Sequence, residues 1–435
     1  MRLLCSILML AAGLSASEKD SFFIKGATVF PVSGPKVENT TLLVIDGKIS
    51  EIGAKVAPKG VRVIDGKGLQ VYPGLINSAT NIGLSEISSI RETNDTGELG
   101  DFNPQLRAIV AINPETDHIP VVRANGITTV LTLPGASAGG GGGGGGGGTG
   151  IIMGQAALIH LDGYTYEEME INRSAAYQMR FPTMQSRAFD FETFQVTRGS
   201  FADAKRRYDL QMQDLKHFFA EARAYMLAKN AKTPGLRMNL KYNAMIPVLE
   251  GKAPLMITAG REREILAAIK FADEEKVKII LADVREPGKA LEEIASKKIP
   301  CILGPVTQLP PEYDMSYDFN FALPAQMYKA GVKFAFGSFQ NQFARNIMFE
   351  AASASSYGLP YNEALKAITL NAAEIFGVGD KYGSIEKGKY ADLLVTNGDP
   401  MEVKTEIKML FIQGRTQSLE SKHTRLYEKY KARPN

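Results

Sequence analysis

Residues 261–303 read REREILAAIKFADEEKVKIILADVREPGKALEEIASKKIPCIL and alternate between two apolar patterns. Stretches with apolar residues at helical spacing are followed by short continuous apolar runs, and this alternation predicts helices that cover a parallel sheet. Because roughly 300 residues have this texture, we expect an α/β fold in the form of a (β/α)8 barrel rather than a small doubly wound sheet. The helical patterns span residues 261–275 and 287–298, and the apolar runs span residues 277–283, 299–303 and 332–337.

Short β segments flank this region on both sides. Residues 22–71 hold three apolar runs, and Asp46-Gly47 between two of them is a strong signal for a hairpin turn. Residues 391–400 and 407–415 have the same character. We therefore predict a small β-sandwich domain built from both chain ends. The predicted boundaries are 18–72 and 383–417 for this domain, 73–382 for the barrel and 418–435 for a charged tail.

The chain begins with MRLLCSILMLAAGLSAS, in which one arginine precedes an apolar run and small residues follow it. This order is typical of a secretory signal peptide, which we place at residues 1–17, and it predicts export to a periplasm or to the cell exterior. A buried N-terminal strand or helix is the alternative. Once the signal is removed, Cys301 is the only cysteine, so no internal disulfide can form.

The composition is that of a large globular protein. The 435 residues include 44% hydrophobic and 22% charged side chains, which excludes wholesale disorder. Fifty Lys and Arg against 47 Asp and Glu give a net charge of +3, and no basic stripe alternates with aromatic residues. We therefore expect no nucleic-acid partner. No later apolar stretch is long enough to span a bilayer, so we expect no membrane association after signal cleavage.

Two further segments stand out within the barrel region. Residues 200–229 carry apolar side chains at alternating spacings of three and four, which predicts a long helix that packs against the core or another subunit. Ser200 and Asp203 form a capping-box pattern at its start. Residues 139–148 are ten consecutive glycines. Ordering them would cost about 1–2 kcal/mol each in backbone entropy, so we expect a mobile loop beside the barrel mouth.

Two strings carry a resemblance to a known family: GKGLQVYPGLINSATNIGL at residues 66–84 and GSIEKGKYADLLVTNGDP at residues 383–400. They resemble the amidohydrolase superfamily, especially its imidazolonepropionase-like secreted members. The resemblance implies a distorted (β/α)8 barrel with one or two divalent metal ions, usually zinc, that activate a water molecule to attack a C–N bond. Such a site needs several imidazole and carboxylate ligands that converge on one point.

The positions that the resemblance assigns to metal ligands carry other side chains in this sequence. In place of a His-x-His motif the first barrel strand has Ala79 and Asn81, and Asn77 replaces the aspartate that precedes the motif. Alanine and phenylalanine have no atom that can bind a metal ion, and the neutral oxygens of asparagine and threonine are weak ligands. We therefore expect no zinc cofactor. The remaining implied ligand positions hold Thr258, Asp283 and Phe339.

The other residues that could bind a metal ion are scattered along the sequence. His160, in the strand-like ALIHLDG, is predicted to be a core or edge residue rather than a ligand. One acidic loop could bind calcium or magnesium, but the default interpretation is a loop whose carboxylates are solvated. The four histidines are His118, His160, His217 and His423, and the acidic residues of the loop are Asp95, Glu98 and Asp101.

Polar side chains still surround the predicted mouth of the barrel. Asp283 ends a buried-looking strand, where burial would raise its pKa, and it is the candidate catalytic residue. A helix cap or an ion pair with Arg285 or Arg261 is the alternative role for this carboxylate. Cys301, within IPCIL, is expected to be an inert buried thiol. The candidate ligand-pocket residues are Asn81, Glu86, Thr258, Arg261, Gln340 and Asn341, with Arg91 and Arg345 nearby.

These observations support three hypotheses about function. The first is an exported pseudoenzyme that lacks the metal centre and binds a small ligand or supports a partner subunit. The second is a hydrolase that acts on C–N bonds of a small amide, cyclic amide or peptide through an atypical site. The third is assembly, as a homo-oligomer or as a hetero-oligomer with an active paralogue, through a surface such as the long helix.

Overall fold

The computed structural model describes residues 20–87, 90–135, 150–184, 187–190, 195–310, 312 and 314–433. The expected signal peptide at 1–17 and the ten-glycine segment at 139–148 lie outside the described residues, so both stay predictions. Within the described ranges, no helix combines the length and the apolar character needed to cross a bilayer.

Strands predominate towards both ends of the chain, and helices are concentrated in its second half. In chain order, the strands are β1 (Phe22–Val29), β2 (Val37–Ile45), β3 (Lys48–Ile52), β4 (Arg62–Asp65), β5 (Gln70–Pro73), β6 (Leu75–Thr80), β7 (Ile127–Thr132), β8 (Ile152–His160), β9 (Glu170–Arg180), β10 (Arg187–Asp190), β11 (Gln195–Arg198), β12 (Leu255–Thr258), β13 (Ile279–Val284), β14 (Cys301–Leu303), β15 (Phe334–Phe336), β16 (Leu393–Thr396), β17 (Ile407–Ile412) and β18 (Arg415–Thr416). The helices are α1 (His118–Arg123), α2 (Tyr166–Met169), α3 (Phe201–Asn230), α4 (Leu240–Leu249), α5 (Glu262–Glu275), α6 (Ala290–Ser296), α7 (Phe319–Lys329), α8 (Ile347–Ser356), α9 (Tyr361–Ala367), α10 (Leu370–Ile375) and α11 (Lys422–Lys431).

Eight strands form a barrel that is nearly closed, in the order β6-β7-β8-β9-β12-β13-β14-β15. Paired neighbours run parallel, except that β8 runs antiparallel to both β7 and β9. Hydrogen bonds link β6 to the residues that follow β15, where the barrel closes. The amide of Phe339 donates to the carbonyl of Ala79 over 2.8 Å, and Asn77 Nδ2 donates to Ser338 Oγ over 3.0 Å. The predicted barrel is therefore confirmed, with one strand reversed.

The barrel strands are buried on both faces, as expected of strands that helices cover. Every residue of β7, β8 and β13 is buried. Inward side chains such as Leu131, Met256 and Ile302 form one apolar cluster. Outward side chains such as Leu255 and Leu281 join a second cluster with residues of the surrounding helices. The barrel interior is thus a packed core that supports the mouth above it.

The strands of both chain ends form a second sheet, in the order β18-β17-β16-β5-β1-β2-β3, with β4 paired beside β1. The predicted hairpin at Asp46-Gly47 joins β2 to β3, and both residues have positive φ, 48° and 73°, as a type I′ turn requires. The predicted second β domain is present, but hydrogen bonds connect its strands into one branched sheet rather than two. Gly74 alone separates β5 from β6, so this sheet is tied directly to the barrel.

The long helix and the charged tail also differ in detail from the prediction. The helix is confirmed as α3, but the side chain of Ser200 accepts a hydrogen bond from the amide of Ala202 and not from Asp203. The buried face of α3 includes Leu215 and Phe219. The tail contains α11, which begins at a capping box between Ser421 and Thr424 and has no buried residue.

Candidate functional site at the barrel mouth

We define the mouth as the barrel face at the carboxyl ends of the parallel strands, where barrels of this type carry their functional groups. Part of its floor is apolar. Ala79 is fully buried and Phe339 is 2% exposed, and both belong to the interior cluster with Met256. A Cβ atom at Gly337 would lie only 2.6 Å from Cβ of Ala79, so the barrel wall is tightly packed at this position.

One wall of the mouth is polar and is built by the paired strands β9 and β12. Tyr177 and Met179 pack outward into the helix-facing cluster, so the alternate residues Gln178 and Arg180 face the barrel interior. Gln178 Nε2 donates to Thr258 Oγ1 over 2.9 Å. Arg180 is the register partner of Thr258, which places its side chain at the upper edge of this wall.

The guanidinium of Arg180 has no carboxylate partner among the residues that the structure describes. Its side chain is accessible to solvent, yet the surrounding protein displaces enough water to lower its pKa. Desolvation is the only cause of this shift, because no carboxylate of the described residues lies close enough to oppose it. A solvent-accessible cation without a carboxylate partner in the described part of the chain can pair with an anionic group of a ligand.

Asp283 lies at the end of β13 and forms an ion pair with Arg285. The residue is 5% exposed, and its Oδ1 accepts a hydrogen bond from Arg285 Nε over 3.0 Å. Burial raises the pKa of Asp283, while the charge of Arg285 acts in the opposite direction. Of the alternatives left open by the sequence, the ion pair with Arg285 is the one observed. Arg261 instead pairs with Glu286 and Glu312, at 3.8 and 2.7 Å.

Several buried polar atoms near the mouth have no hydrogen-bond partner among the described residues. Gln178 Oε1, Asn81 Oδ1 and Arg285 Nη2 belong to this group. Buried polar atoms in folded proteins are nearly always paired with protein, water or ligand. These three atoms therefore mark positions where a ligand or an ordered water molecule would gain hydrogen bonds.

Other predicted pocket residues hold loops together. Glu86 accepts hydrogen bonds from the hydroxyl of Thr116 and from the amide of Asp117, at the start of α1. Asn341 is buried, and its Nδ2 donates to the carbonyl of Ser85 over 2.6 Å. Gln340 lines a separate cavity of about 310 Å³ with Ser338, Phe343 and Glu350 among others. Arg91 is exposed, and Arg345 is half-buried.

The mouth does not fit the metal centre that the resemblance implies. His160 lies at the end of the reversed strand β8, on the face opposite the mouth, and Asp283 is already engaged by Arg285. Asp95, Glu98 and Asp101 are exposed in their loop. In the part of the chain that the structure describes, no three His, Cys, Asp or Glu residues are placed to hold a metal ion. Cys301 is buried, and burial raises its pKa, as expected of an inert thiol.

The sequence patterns described above do not predict a role for Arg180 or Gln178. In β9, Ala176, Gln178 and Arg180 alternate with the outward Tyr177 and Met179. A period of two that ends in a cation just before Phe181-Pro182 was the available signal.

Comparison with known proteins agrees with the fold. A model of the amidohydrolase family matches residues 319–416. The protein named amidohydrolase tasK, from Hapsidospora irregularis, is 23% identical over 402 residues, which are 88% of this chain and 39% of that protein. A dihydroorotase from Pelotomaculum thermopropionicum is 47% identical over 55 residues, or 12% of this chain and 13% of that protein. The crystal structure of an amidohydrolase from Thermotoga maritima MSB8 has a TM-score of 0.76 at 26% identity, over 91% of this chain and 99% of that chain.

These matches support the assignment of this chain to the amidohydrolase superfamily. The chain spans only 39% of the length of tasK and 13% of the length of the dihydroorotase. The family-model match includes Phe339, Gln340 and Asn341. Thr258 and Asp283 precede it, so most of the polar wall of this superfamily member lies outside the matched residues.

Proposed function

We propose that this amidohydrolase-superfamily protein binds a small organic molecule at the barrel mouth and does not carry out the metal-dependent hydrolysis of its family. The observation that carries the proposal is the apolar packing of Ala79 and Phe339, at two positions where metal ligands are implied. Neither side chain can bind a metal ion, and Asp283 is committed to Arg285.

The polar wall supports ligand binding in place of the metal centre. Gln178, Thr258 and Arg180 face the barrel interior from neighbouring strands, where side-chain positions are more precisely fixed than on loops. Their hydrogen-bonding capacity is only partly used within the described chain. A concave site with a few convergent polar groups above an apolar floor is the usual form of a small-molecule site.

Metal analysis of protein purified without chelators tests this proposal. We expect far less than one zinc ion per chain, and no change in the thermal unfolding midpoint when EDTA is added, because a structural or catalytic ion would stabilise the folded state by mass action. The matched measurement adds zinc, dialyses it away and repeats the analysis. One tightly held zinc ion per chain, with hydrolysis that EDTA abolishes, would contradict the proposal.

A second candidate function, hydrolysis of a C–N bond in a small amide, cyclic amide or peptide, is favoured by Asp283. Burial raises the pKa of the Asp283 carboxyl group, which makes it a stronger base than an exposed aspartate and a candidate general base. The test compares Asp283→Asn with Asp273→Asn, an exposed control, on a panel of dipeptides, simple amides and cyclic amides. Turnover that is lost only in Asp283→Asn supports this function, and equal rates in both variants exclude Asp283 from the chemistry.

A further inference from the structure

We infer that Arg180, together with the hydroxyl group of Thr258, binds the carboxylate of the mouth ligand. This inference rests on the proposed ligand-binding function, and it names the class of ligand. The juxtaposition that carries it is an arginine that has no counter-charge among the described residues, beside a hydroxyl group that has a proton to donate, on paired strands of one wall.

The position of Arg180 is fixed by the strand that carries it. It is the last residue of β9, and it shares the inward face with Gln178, which is 2% exposed. Paired neighbours in a sheet lie about 5 Å apart, so the backbones of Arg180 and Thr258 are close enough for both side chains to contact one small group.

Thr258 supplies the second donor. Its Oγ1 accepts the hydrogen bond from Gln178 Nε2, which leaves the proton of the hydroxyl group free for a ligand oxygen. This bond orients Gln178, and its buried Oε1 has no hydrogen-bond partner within the described ranges. The wall thus presents one cation, one hydroxyl donor and one amide acceptor.

This set matches a small carboxylic acid with a neighbouring O–H or N–H group. A planar guanidinium pairs with a carboxylate through two parallel hydrogen bonds, and a carboxylate oxygen can also accept from the hydroxyl of Thr258. The acceptor Oε1 of Gln178 favours a donor next to the carboxylate. A phosphate dianion would retain excess negative charge, since the nearby Arg285 is already paired with Asp283.

Binding of four probes to the full chain tests the inference. Lactate has the carboxylate and a neighbouring hydroxyl group, propionate has only the carboxylate, lactamide has no charge, and inorganic phosphate is a different anion. We expect lactate to bind more tightly than propionate, and both to bind at least about tenfold more tightly than lactamide or phosphate, as measured by isothermal titration and by the shift of the thermal unfolding midpoint.

Variants assign the effect to the two side chains. Arg180→Met keeps the apolar stem and should weaken lactate binding about tenfold or more, while Arg180→Lys should lie between this variant and the unmodified chain. Thr258→Val should weaken binding severalfold, and Thr258→Ser should restore it. Arg237→Met removes an exposed arginine and should leave binding unchanged. Unfolding in urea checks that each variant is folded.

Three results would overturn the inference: equal binding of lactate and lactamide, equal binding by Arg180→Met and the unmodified chain, or tighter binding of phosphate than of lactate. These outcomes differ from failure of the proposed function, which shows as bound zinc and EDTA-sensitive hydrolysis whatever the effect of Arg180→Met.

Discussion

The carboxyl group of Asp283 rests against the backbone of Gly304. A Cβ atom at position 304 would lie 2.6 Å from Oδ1 of Asp283, which is closer than real contacts allow. Asp283 also has a positive φ of 56°, a conformation that aspartate adopts more readily than most residues. The ion pair with Arg285 therefore depends on the glycine that follows the neighbouring strand β14.

Gly304→Ala should disturb this ion pair. The added methyl group must displace the buried carboxyl group, and overpacking of this kind costs about 1–3 kcal/mol of unfolding free energy. Urea denaturation of Gly304→Ala, of Asp283→Gly and of the double variant measures the coupling. We expect Gly304→Ala to cost much less when residue 283 is glycine. An equal cost in both backgrounds would show that the strain lies elsewhere.

For single residues, the sequence predicted part of the mouth. It placed Thr258, Asp283 and Phe339 at strand ends and proposed Arg285 as a partner of Asp283, because residue identity and local periodicity are visible in the sequence. The sequence does not reveal the left-handed backbone of Asp283, and it does not predict the inward position of Arg180. The position of Arg180 depends on which face of its strand points inward, and pairing between distant segments decides this.

Among the secondary-structure elements, helix α8 is connected to the loop after β14 by Glu350. Its carboxylate accepts hydrogen bonds from the amides of Val306 and Thr307, over 2.7 and 3.1 Å, and from the hydroxyl of Thr307 over 2.7 Å. The residue is only 7% exposed. Burial raises the pKa of Glu350, although these hydrogen bonds act to lower it.

Glu350→Ala should separate the helix from the loop. It leaves two amides and a hydroxyl group without their acceptor, and loss of partners to buried groups costs about 1–3 kcal/mol or more. Glu350→Gln retains one acceptor oxygen and should cost less than Glu350→Ala. Chemical denaturation gives both values. If glutamine and alanine are equally destabilising, the acceptor hydrogen bonds do not account for the effect.

Most elements of the second half of the barrel were predictable from the sequence. The helical spacing of residues 261–275 and the apolar runs that include Asp283 and Leu303 correspond to α5, β13 and β14. The direction of β8 was not predictable. An apolar run indicates a strand but carries no information about its orientation, which depends on the connections before and after it.

Across the molecule as a whole, a buried polar cluster joins the two sheets on the face opposite the mouth. His160 comes from β8, and its Nδ1 lies 3.6 Å from Oδ2 of Asp392, beside β16. His160 Nε2 is 2.9 Å from Nε2 of Gln413 and 3.3 Å from the hydroxyl of Tyr382. His160 is thus a buried core residue, as the sequence predicted.

Burial shifts the two titrating groups of this cluster in opposite directions. It lowers the pKa of His160 from 6.5 to about 3 and raises that of Asp392 from 3.8 to about 7. The stability from neutral His160 is complete above pH 6.5 and is lost as the pH falls towards 3. The stability from protonated Asp392 is complete below pH 3.8 and is lost as the pH rises through 7. Between about pH 4 and 6.5 the two slopes cancel.

In single variants, the unfolding free energy should therefore depend on pH, whereas in the unmodified chain the two opposite slopes cancel. In Asp392→Asn, the unfolding free energy should fall as the pH drops from 6.5 to 4.5, with a slope of up to about 1.4 kcal/mol per pH unit. In His160→Gln it should fall as the pH rises over the same interval. Urea titrations at pH 4.5, 5.5 and 6.5 measure both slopes. Equal slopes in all three proteins would contradict this assignment.

The reversed direction of β8 has a consequence for how the chain reaches its native state. Parallel neighbours in the barrel can pair only after a long crossover segment has brought them together. By contrast, β8 and β9 pair antiparallel across a connection of only nine residues, 161–169. Contacts between segments close in sequence form quickly, because less chain entropy is lost in bringing them together. We expect this pair to form early and to serve as a template on which the slower crossovers assemble.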